Sequence, residues 1–439
     1  MRADLGPGRG SPDHRPVRVM GPRVARLAER LSAVGDTTRR AALTDAFWRE
    51  VERLGTPLVE ELPGEPAHRA VTFLWRGDGG TRRVLLLANR LIDREHLTDA
   101  LLQRVPDTDV WHLGLRLRAD HRGSYRIAAE TATPSTDPAD LQRRLRDLSA
   151  RATRDPLNPQ YMPTRWESSD SSVYALPEAP AWPSKDRDGT RRAGRVERHR
   201  VPTKALGGER DVWIYLPPGH DDGDPAPAPL PVLVLCDGDM WLARLDLART
   251  LDAVIADGLL PPLAVLSPDA VDRRTRWLEL GGREEFVTFL SDELLPWATA
   301  RRPLTTDPRR TVVAGQSLGG VTALHAAHLR PDRFGKVLAQ SSSLWWRPGI
   351  PPGVPKADPT DPPWLLTHYA TAPRRTVTVH LDVGLHEGAM VDHTRALYDT
   401  LRRTGHQVTY NEYNGGHDYA CWHVALADGL VRLLGDGLG

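Results

Sequence analysis

The run "LPVLVLCDGD", residues 230–239, limits the fold more than any other stretch of this chain. A strand with one wet face alternates apolar and polar side chains, whereas a strand covered on both faces can be apolar throughout. Residues 232–235 are valine and leucine without interruption, so the segment reads as a strand inside a parallel sheet with helices on both faces. Its neighbours carry the same pattern. "ERDVWIYLPPG" reads as a strand before it; "ARTLDAVIADGLL" as a helix, "PPLAVLSPDA" as a strand, "REEFVTFLSDELLPWATA" as a helix and "RRTVVAG" as a strand after it. Helices and strands continue to alternate through "GGVTALHAAHLRP", "KVLAQSSS", "TVTVHLDVG", "HTRALYDTLRRTG" and "QVTYNEYNGG", and "WHVALADGLVRLL" closes the chain. Strands separated by helices of about 10 to 15 residues define an α/β sheet protein.

At 439 residues the chain exceeds the size of one ordinary domain. Residues 1–22, rich in Gly, Pro and Arg, read as a disordered tail. After a helical opening, "HRAVTFLWRG", "RRVLLLANR", "DVWHLGLRLR" and "GSYRIAAE" are short strand-like runs separated by turn formers, so residues 23–155 are expected to form a β-rich, sandwich-like accessory domain. No catalytic set of residues is visible in it. Residues 156–194, rich in Pro, Ser and Asp, have linker composition, which leaves 195–439 for the α/β domain.

Charge excludes some partners. Acidic and basic residues nearly balance, 57 against 58, so there is no net field to hold nucleic acid or an anionic membrane. Cys236 and Cys421 are far apart in sequence and form no ligand cluster, which gives neither a disulfide framework nor a zinc site and fits a reducing, cytoplasmic setting. No stretch of about 18 apolar residues occurs, and the N-terminus lacks the apolar core of a secretory signal.

The chemistry centres on "TVVAGQSLGG", residues 311–320. In G-x-S-x-G a serine sits on a sharp strand-to-helix turn, and the residues two before and two after crowd the turn, so both are glycine. Gly315 and Gly319 meet that requirement around Ser317, between a buried strand and a helix. On that turn the serine serves as nucleophile of an α/β-hydrolase, and its triad partners follow in the order acid, then histidine. Of sixteen histidines, His417 in "YNGGHDYACW" lies between the last strand and the last helix, where the general base belongs. The acid should follow "TVTVHLDVG": Glu387, on the loop beyond Gly384, is preferred to Asp382 within the strand, with Asp392 and Asp418 behind both. The oxyanion hole needs two backbone N–H groups. Leu318, directly after the nucleophile, supplies one, and Asp239, after the apolar strand, is the first choice for the other, with Met240 second.

The chain resembles the enterochelin (enterobactin) esterases over almost everything after its first 40 residues. In the N-terminal half the likeness is carried by "FWREVERLGTPLVE", "VTFLWRG", "LQRVPDTDVWHLGL", "RGSYRI" and "DPLNPQ". In the C-terminal half it is carried by "LCDGDMW", "DAVDRRTRWLEL", "VVAGQSLGG", "PDRFGKVLAQSSSLWW" and "NGGHDYACW". The resemblance implies an esterase-D-like α/β-hydrolase with an N-terminal accessory domain, cleaving the trilactone of a ferric tricatecholate siderophore in the cytoplasm. It implies Ser317 and His417 as catalytic residues and Arg276, which matches a family arginine, as an anion-binding side chain. Flat catechol rings favour aromatic walls, for which Trp345 and Trp346 are the candidates. No cofactor and no resident metal are expected, since iron belongs to the substrate. The alternatives are another carboxylesterase on the same fold, acting on feruloyl or small acyl esters, and a non-catalytic siderophore-binding protein.

Overall fold

The computed structural model describes residues 16–131, 138–182, 193–220, 228–351, 363–371 and 377–435. The chain divides into two compact units. One holds the described residues up to Pro180 together with Asn414–Cys421, and the other holds Ala181–Tyr413 and the chain from Trp422 onward.

Among the described residues, the first unit is built on nine strands: β1 (Val17–Arg18), β2 (Leu58–Glu61), β3 (His68–Arg76), β4 (Arg83–Ala88), β5 (Gln103–Arg104), β6 (Val110–Arg118), β7 (Arg122–Glu130), β8 (Tyr161–Met162) and β9 (Ser171–Ala175). They form two antiparallel sheets, one ordered β1-β6-β3-β2 with β5 beside β6, the other β4-β7-β9-β8. Val71, Phe73, Leu113 and Leu115 of the first sheet share a core with Val84, Leu86, Tyr125, Ile127 and Tyr174 of the second. Alternation along the strands is what supplies these two inner faces. Helices Pro22–Ser32 and Thr37–Leu54 bury Val24, Leu27, Phe47, Trp48 and Val51 in a satellite cluster. Asp36 caps the second of them, accepting from Arg39 N at 2.7 Å.

Two boundaries differ from the composition-based expectation. The tail expected over 1–22 lies outside the described residues as far as 15; beyond that, Val17 and Arg18 pair with Arg116 and Leu115, and Pro22 opens a helix. The stretch 156–194, expected as a linker, contributes β8 and β9 to the second sheet, with 183–192 outside the described residues. Its serines are the reason for the difference. Ser172 is buried and its hydroxyl accepts from Asp155 N at 2.8 Å, while Tyr174 two residues on enters the core, so a polar-looking segment is a sheet strand.

The second unit carries an eight-stranded sheet made of β10 (Arg195–Thr203), β11 (Gly208–Leu216), β12 (Val232–Leu235), β13 (Ala264–Pro268), β14 (Thr311–Gln316), β15 (Lys336–Gln340), β16 (Thr378–Gly384) and β17 (Gln407–Tyr413). The order is β10-β11-β13-β12-β14-β15-β16-β17, antiparallel as far as β13 and parallel from there on. The apolar strand β12 is buried at every residue and lies between β13 and β14, covered on both faces as its sequence requires. Functional side chains in such sheets gather beyond the carboxyl ends of the parallel strands. This is where the sequence places Asp239, Ser317 and Glu387, after β12, β14 and β16 in turn.

Candidate active site

Ser317 stands between β14 and the helix Leu318–Leu329, with φ 58° and ψ −119°. A left-handed φ is costly for a residue with a β-carbon, so surrounding contacts must impose it. They do. Ser317 N donates to Gln340 O at 3.1 Å and Ser317 O accepts from Ser343 N at 3.0 Å, which ties the turn to β15 and the loop beyond it. A β-carbon on Gly315 would lie 2.4 Å from the carbonyl carbon and oxygen of Gly319, so the turn closes only with glycine there. The Ser317 and Ser343 hydroxyls are 3.0 Å apart. The result is a half-buried hydroxyl held at the head of a helix.

Leu318 is the first residue of that helix, and its N–H is among those that a helix start leaves without an intrahelical acceptor. Asp239 lies in the short helix Gly238–Trp241 directly after β12, the strand paired with β14. Its carboxylate accepts from Ala270 N at 3.2 Å. Two helix starts thus follow two adjacent parallel strands. Cross-links fix one against the other: Trp241 Nε1 donates to Gln316 Oε1 at 2.9 Å, and the Arg276 guanidinium reaches Gln316 O at 3.4 Å.

Arg276 has a further duty that the sequence does not announce. Its Nε and Nη2 donate to Asp237 Oδ1 and Oδ2 at 2.8 and 2.7 Å, a bidentate pair with a fully buried carboxylate. Asp237 is itself in the left-handed region, with φ 73°, at the N-cap of the short helix that carries Asp239. The arginine expected to bind an anionic ligand is committed to an anion of the protein. Trp346 also departs from expectation: it is buried in the core, its ring in edge contact with Trp364 at 5.3 Å and packed against Gly281 and Gly282, so it offers no face to a catechol. Trp345 is only partly buried and sits 6.0 Å, centroid to centroid, from Trp277.

Glu387 is buried on the turn between β16 and the helix Ala389–Arg403. Its Oε1 accepts from Ser341 Oγ at 2.6 Å, Gly384 N at 2.8 Å and Tyr413 OH at 3.3 Å. Asp382 lies in β16 and is engaged elsewhere: Gln340 Nε2 donates to it at 3.2 Å and Asn411 Nδ2 at 2.9 Å, with His380 Nε2 3.3 Å away. Gln340 in turn accepts from Gln316 Nε2 at 2.8 Å, so Asp382 ends a buried amide chain that crosses the sheet beneath Ser317.

His417 belongs to the segment Asn414–Cys421, which packs within the first unit. Asn89 grips its backbone from both sides, Oδ1 accepting from His417 N at 2.9 Å and Nδ2 donating to His417 O at 3.2 Å. Beside it, burial pushes the Asp418 carboxyl above the usual carboxylate range, and Ser124 Oγ donates to it at 2.5 Å. Sequence reasoning missed Asn89, Ser341, Ser343 and Trp422. Three of these four do sit in the quoted motifs "AQSSSLWW" and "NGGHDYACW", and Trp422 Nε1 donates to Ser341 Oγ at 2.8 Å. Among the described residues, no group of three or more His, Cys, Asp and Glu side chains is placed to hold a metal ion, and no helix is long and apolar enough to cross a membrane.

Fold and site together define an α/β-hydrolase-type ester hydrolase with an N-terminal β-rich domain. Comparison with known proteins makes this specific. Residues 203–433 match the family described as "Putative esterase", and residues 70–185 match "Enterochelin esterase, N-terminal". The chain is 36% identical to the iron(III) salmochelin esterase of Escherichia coli, across 90% of this chain and 94% of that protein. It is 34% identical to the iron(III) enterobactin esterase of Dickeya dadantii, across 89% of this chain and 93% of that protein. The crystal structure of the ferric enterobactin esterase of Salmonella typhimurium superposes with a TM-score of 0.74 at 30% identity, covering 89% of this chain and 98% of that one. The chain belongs to the enterochelin esterase family.

Proposed function

We propose that this chain is a serine esterase that opens the ester bonds of a ferric tricatecholate trilactone and so frees its iron. The reaction rests above all on Ser317, held at φ 58° at the head of a helix in a chain of this family. The substrate class comes from the relatives, named for iron(III) salmochelin and iron(III) enterobactin. A related Shigella flexneri esterase, 29% identical with a TM-score of 0.73, was crystallised in the presence of enterobactin.

In the proposed cycle Ser317 Oγ attacks the ester carbonyl carbon while His417 takes the hydroxyl proton. The Leu318 and Asp239 N–H groups receive the charge that develops on the carbonyl oxygen. Collapse breaks the substrate's ester C–O bond, and its alkoxy oxygen leaves as a hydroxyl with the proton from His417 while the acyl group stays on Ser317. Water, deprotonated by His417, then attacks the acyl-enzyme; the acid departs and Ser317 regains its proton. Glu387 holds the imidazole in the tautomer that accepts from serine and stabilises the imidazolium. Each step uses groups of this chain, so no cofactor or resident metal enters, and iron is cargo. The half-buried pair Trp277 and Trp345 supplies aromatic surface for a catechol. Arg273 and Arg274, exposed on the helix that carries Arg276, supply positive charge for an anionic ligand. The proposed setting is the cytoplasm, where the buried thiols of Cys236 and Cys421 stay reduced.

The test is product analysis. The purified protein is incubated with ferric and with iron-free tricatecholate trilactone, and the products are identified by mass. Linear products that have gained one water per ester cut are expected; intact trilactone in both incubations would refute the proposal.

A further inference from the structure

We propose that the N-terminal domain positions the general base, and that Asn89 is the residue through which it does so. This rests on the reading of His417 as the base. Asn89 follows β4 on a turn closed by Arg90, which takes the left-handed φ of 58° at a cost of about 1 kcal/mol. Asn89 N donates to Ser124 O at 2.9 Å, so its backbone is fixed to the neighbouring strand β7. From that fixed point the side-chain amide meets both polar groups of the His417 backbone, as acceptor for N–H at 2.9 Å and donor to C=O at 3.2 Å. Only one amide orientation pairs a donor with an acceptor at both ends. A histidine gripped at its own N–H and C=O has its Cα, and hence the root of its imidazole, held in place.

A second observation comes from the glycine before it. A β-carbon on Gly416 would lie 2.5 Å from Asn89 Oδ1 and 3.0 Å from both Asn89 O and Arg90 Cβ. The loop therefore lies directly on Asn89, at a distance only glycine allows. The rest of the segment is fastened to the same domain: Arg122 N donates to Asn414 O at 3.1 Å, His121 Nδ1 is 3.1 Å from Asn414 Oδ1, and the Cys421 thiol donates to Arg122 O at 3.4 Å. These contacts hold the ends of the loop, and Asn89 holds its centre. A general base misplaced by about 1 Å can cost on the order of 100-fold in rate, so Asn89, which takes no part in the chemistry itself, still sets turnover.

The experiment uses the full chain and p-nitrophenyl acetate, a substrate too small to need the siderophore pocket. Asn89→Ala, Asn89→Asp and His417→Ala are compared for kcat, KM, thermal unfolding and the rate at which a fluorophosphonate labels Ser317. Asn89→Ala should lower kcat and the labelling rate by about 10- to 100-fold with little change in KM. Asn89→Asp keeps the acceptor for His417 N–H and should recover part of that loss; it carries the test alone if the alanine variant does not fold. A folded Asn89→Ala protein with parental kcat, beside an inactive His417→Ala, refutes the positioning role and leaves the base assignment standing. An active His417→Ala refutes the base assignment, and the role of Asn89 with it. A loss confined to thermal stability, with kcat and labelling unchanged, also refutes the proposal.

Discussion

The hydroxyl of Ser341 donates to Glu387 Oε1 at 2.6 Å, and Ser341 Oγ in turn accepts from the Trp422 indole N–H at 2.8 Å. A buried carboxylate reached by the Ser341 hydroxyl, the Gly384 N–H and the Tyr413 hydroxyl is fixed in rotamer. That is what a triad acid requires. Asp382 is equally buried but serves a chain of amides. Glu387→Gln should therefore lower kcat by roughly 10²- to 10⁴-fold, whereas Asp382→Asn should act mainly on thermal stability. Steady-state kinetics of the two folded variants decides it, and the reverse ranking would move the acid to Asp382.

Arg276→Gln separates a structural arginine from a ligand-binding one. Removing it takes the bidentate guanidinium partner from the fully buried Asp237 carboxylate, and breaking a buried pair in this way commonly costs about 3 to 5 kcal/mol. The expected result is a lowered unfolding midpoint and a lowered kcat on a small neutral ester as well as on the siderophore. An unchanged midpoint with only a raised KM for the anionic substrate would restore the ligand-binding role.

Gly315→Ala tests the turn itself. The added methyl meets backbone atoms of Gly319 at 2.4 Å, and backbone cannot move aside as a flexible side chain can. Destabilisation by about 1 to 3 kcal/mol or more is expected, with loss of activity in whatever folds. A stable and active variant would show that the nucleophile turn is not under this constraint.

Acid should weaken the α/β unit through His325. This side chain is buried beside Trp364 at 5.0 Å, and burial, reinforced by His328 and His368, lowers its pKa from 6.5 to about 4. A depressed folded-state pKa means that the unfolded chain binds the proton first, so stability is full above about 6.5 and declines as pH falls toward about 4, by a few kcal/mol at most. Thermal unfolding across this window should fall less steeply for His325→Leu than for the parent. Parallel slopes would remove His325 as the source.

What the sequence disclosed follows from the range of the interactions concerned. The elbow at Ser317 is legible because its crowding is local: Gly315, Ser317 and Gly319 are in contact by chain geometry alone. Strand β12 is legible because burial on both faces leaves a continuous apolar run. The role of Arg276 was hidden because its partner Asp237 lies 39 residues earlier, and nothing in "RRTRWLEL" tells a ligand's anion from the protein's own. Trp346 looks the same in sequence whether it walls a pocket or fills the space over Gly281 and Gly282. The pairing of Asn89 with His417 spans 328 residues, and only the folded chain brings the two together.

Ser317→Ala and His417→Ala, each assayed on the ferric trilactone beside the parent and each shown to be folded, test the central claim most directly. Residues that act as one unit lose most of their rate when either is removed, so both variants should fall by about 10³- to 10⁶-fold. Near-parental turnover by a folded Ser317→Ala protein would contradict the account.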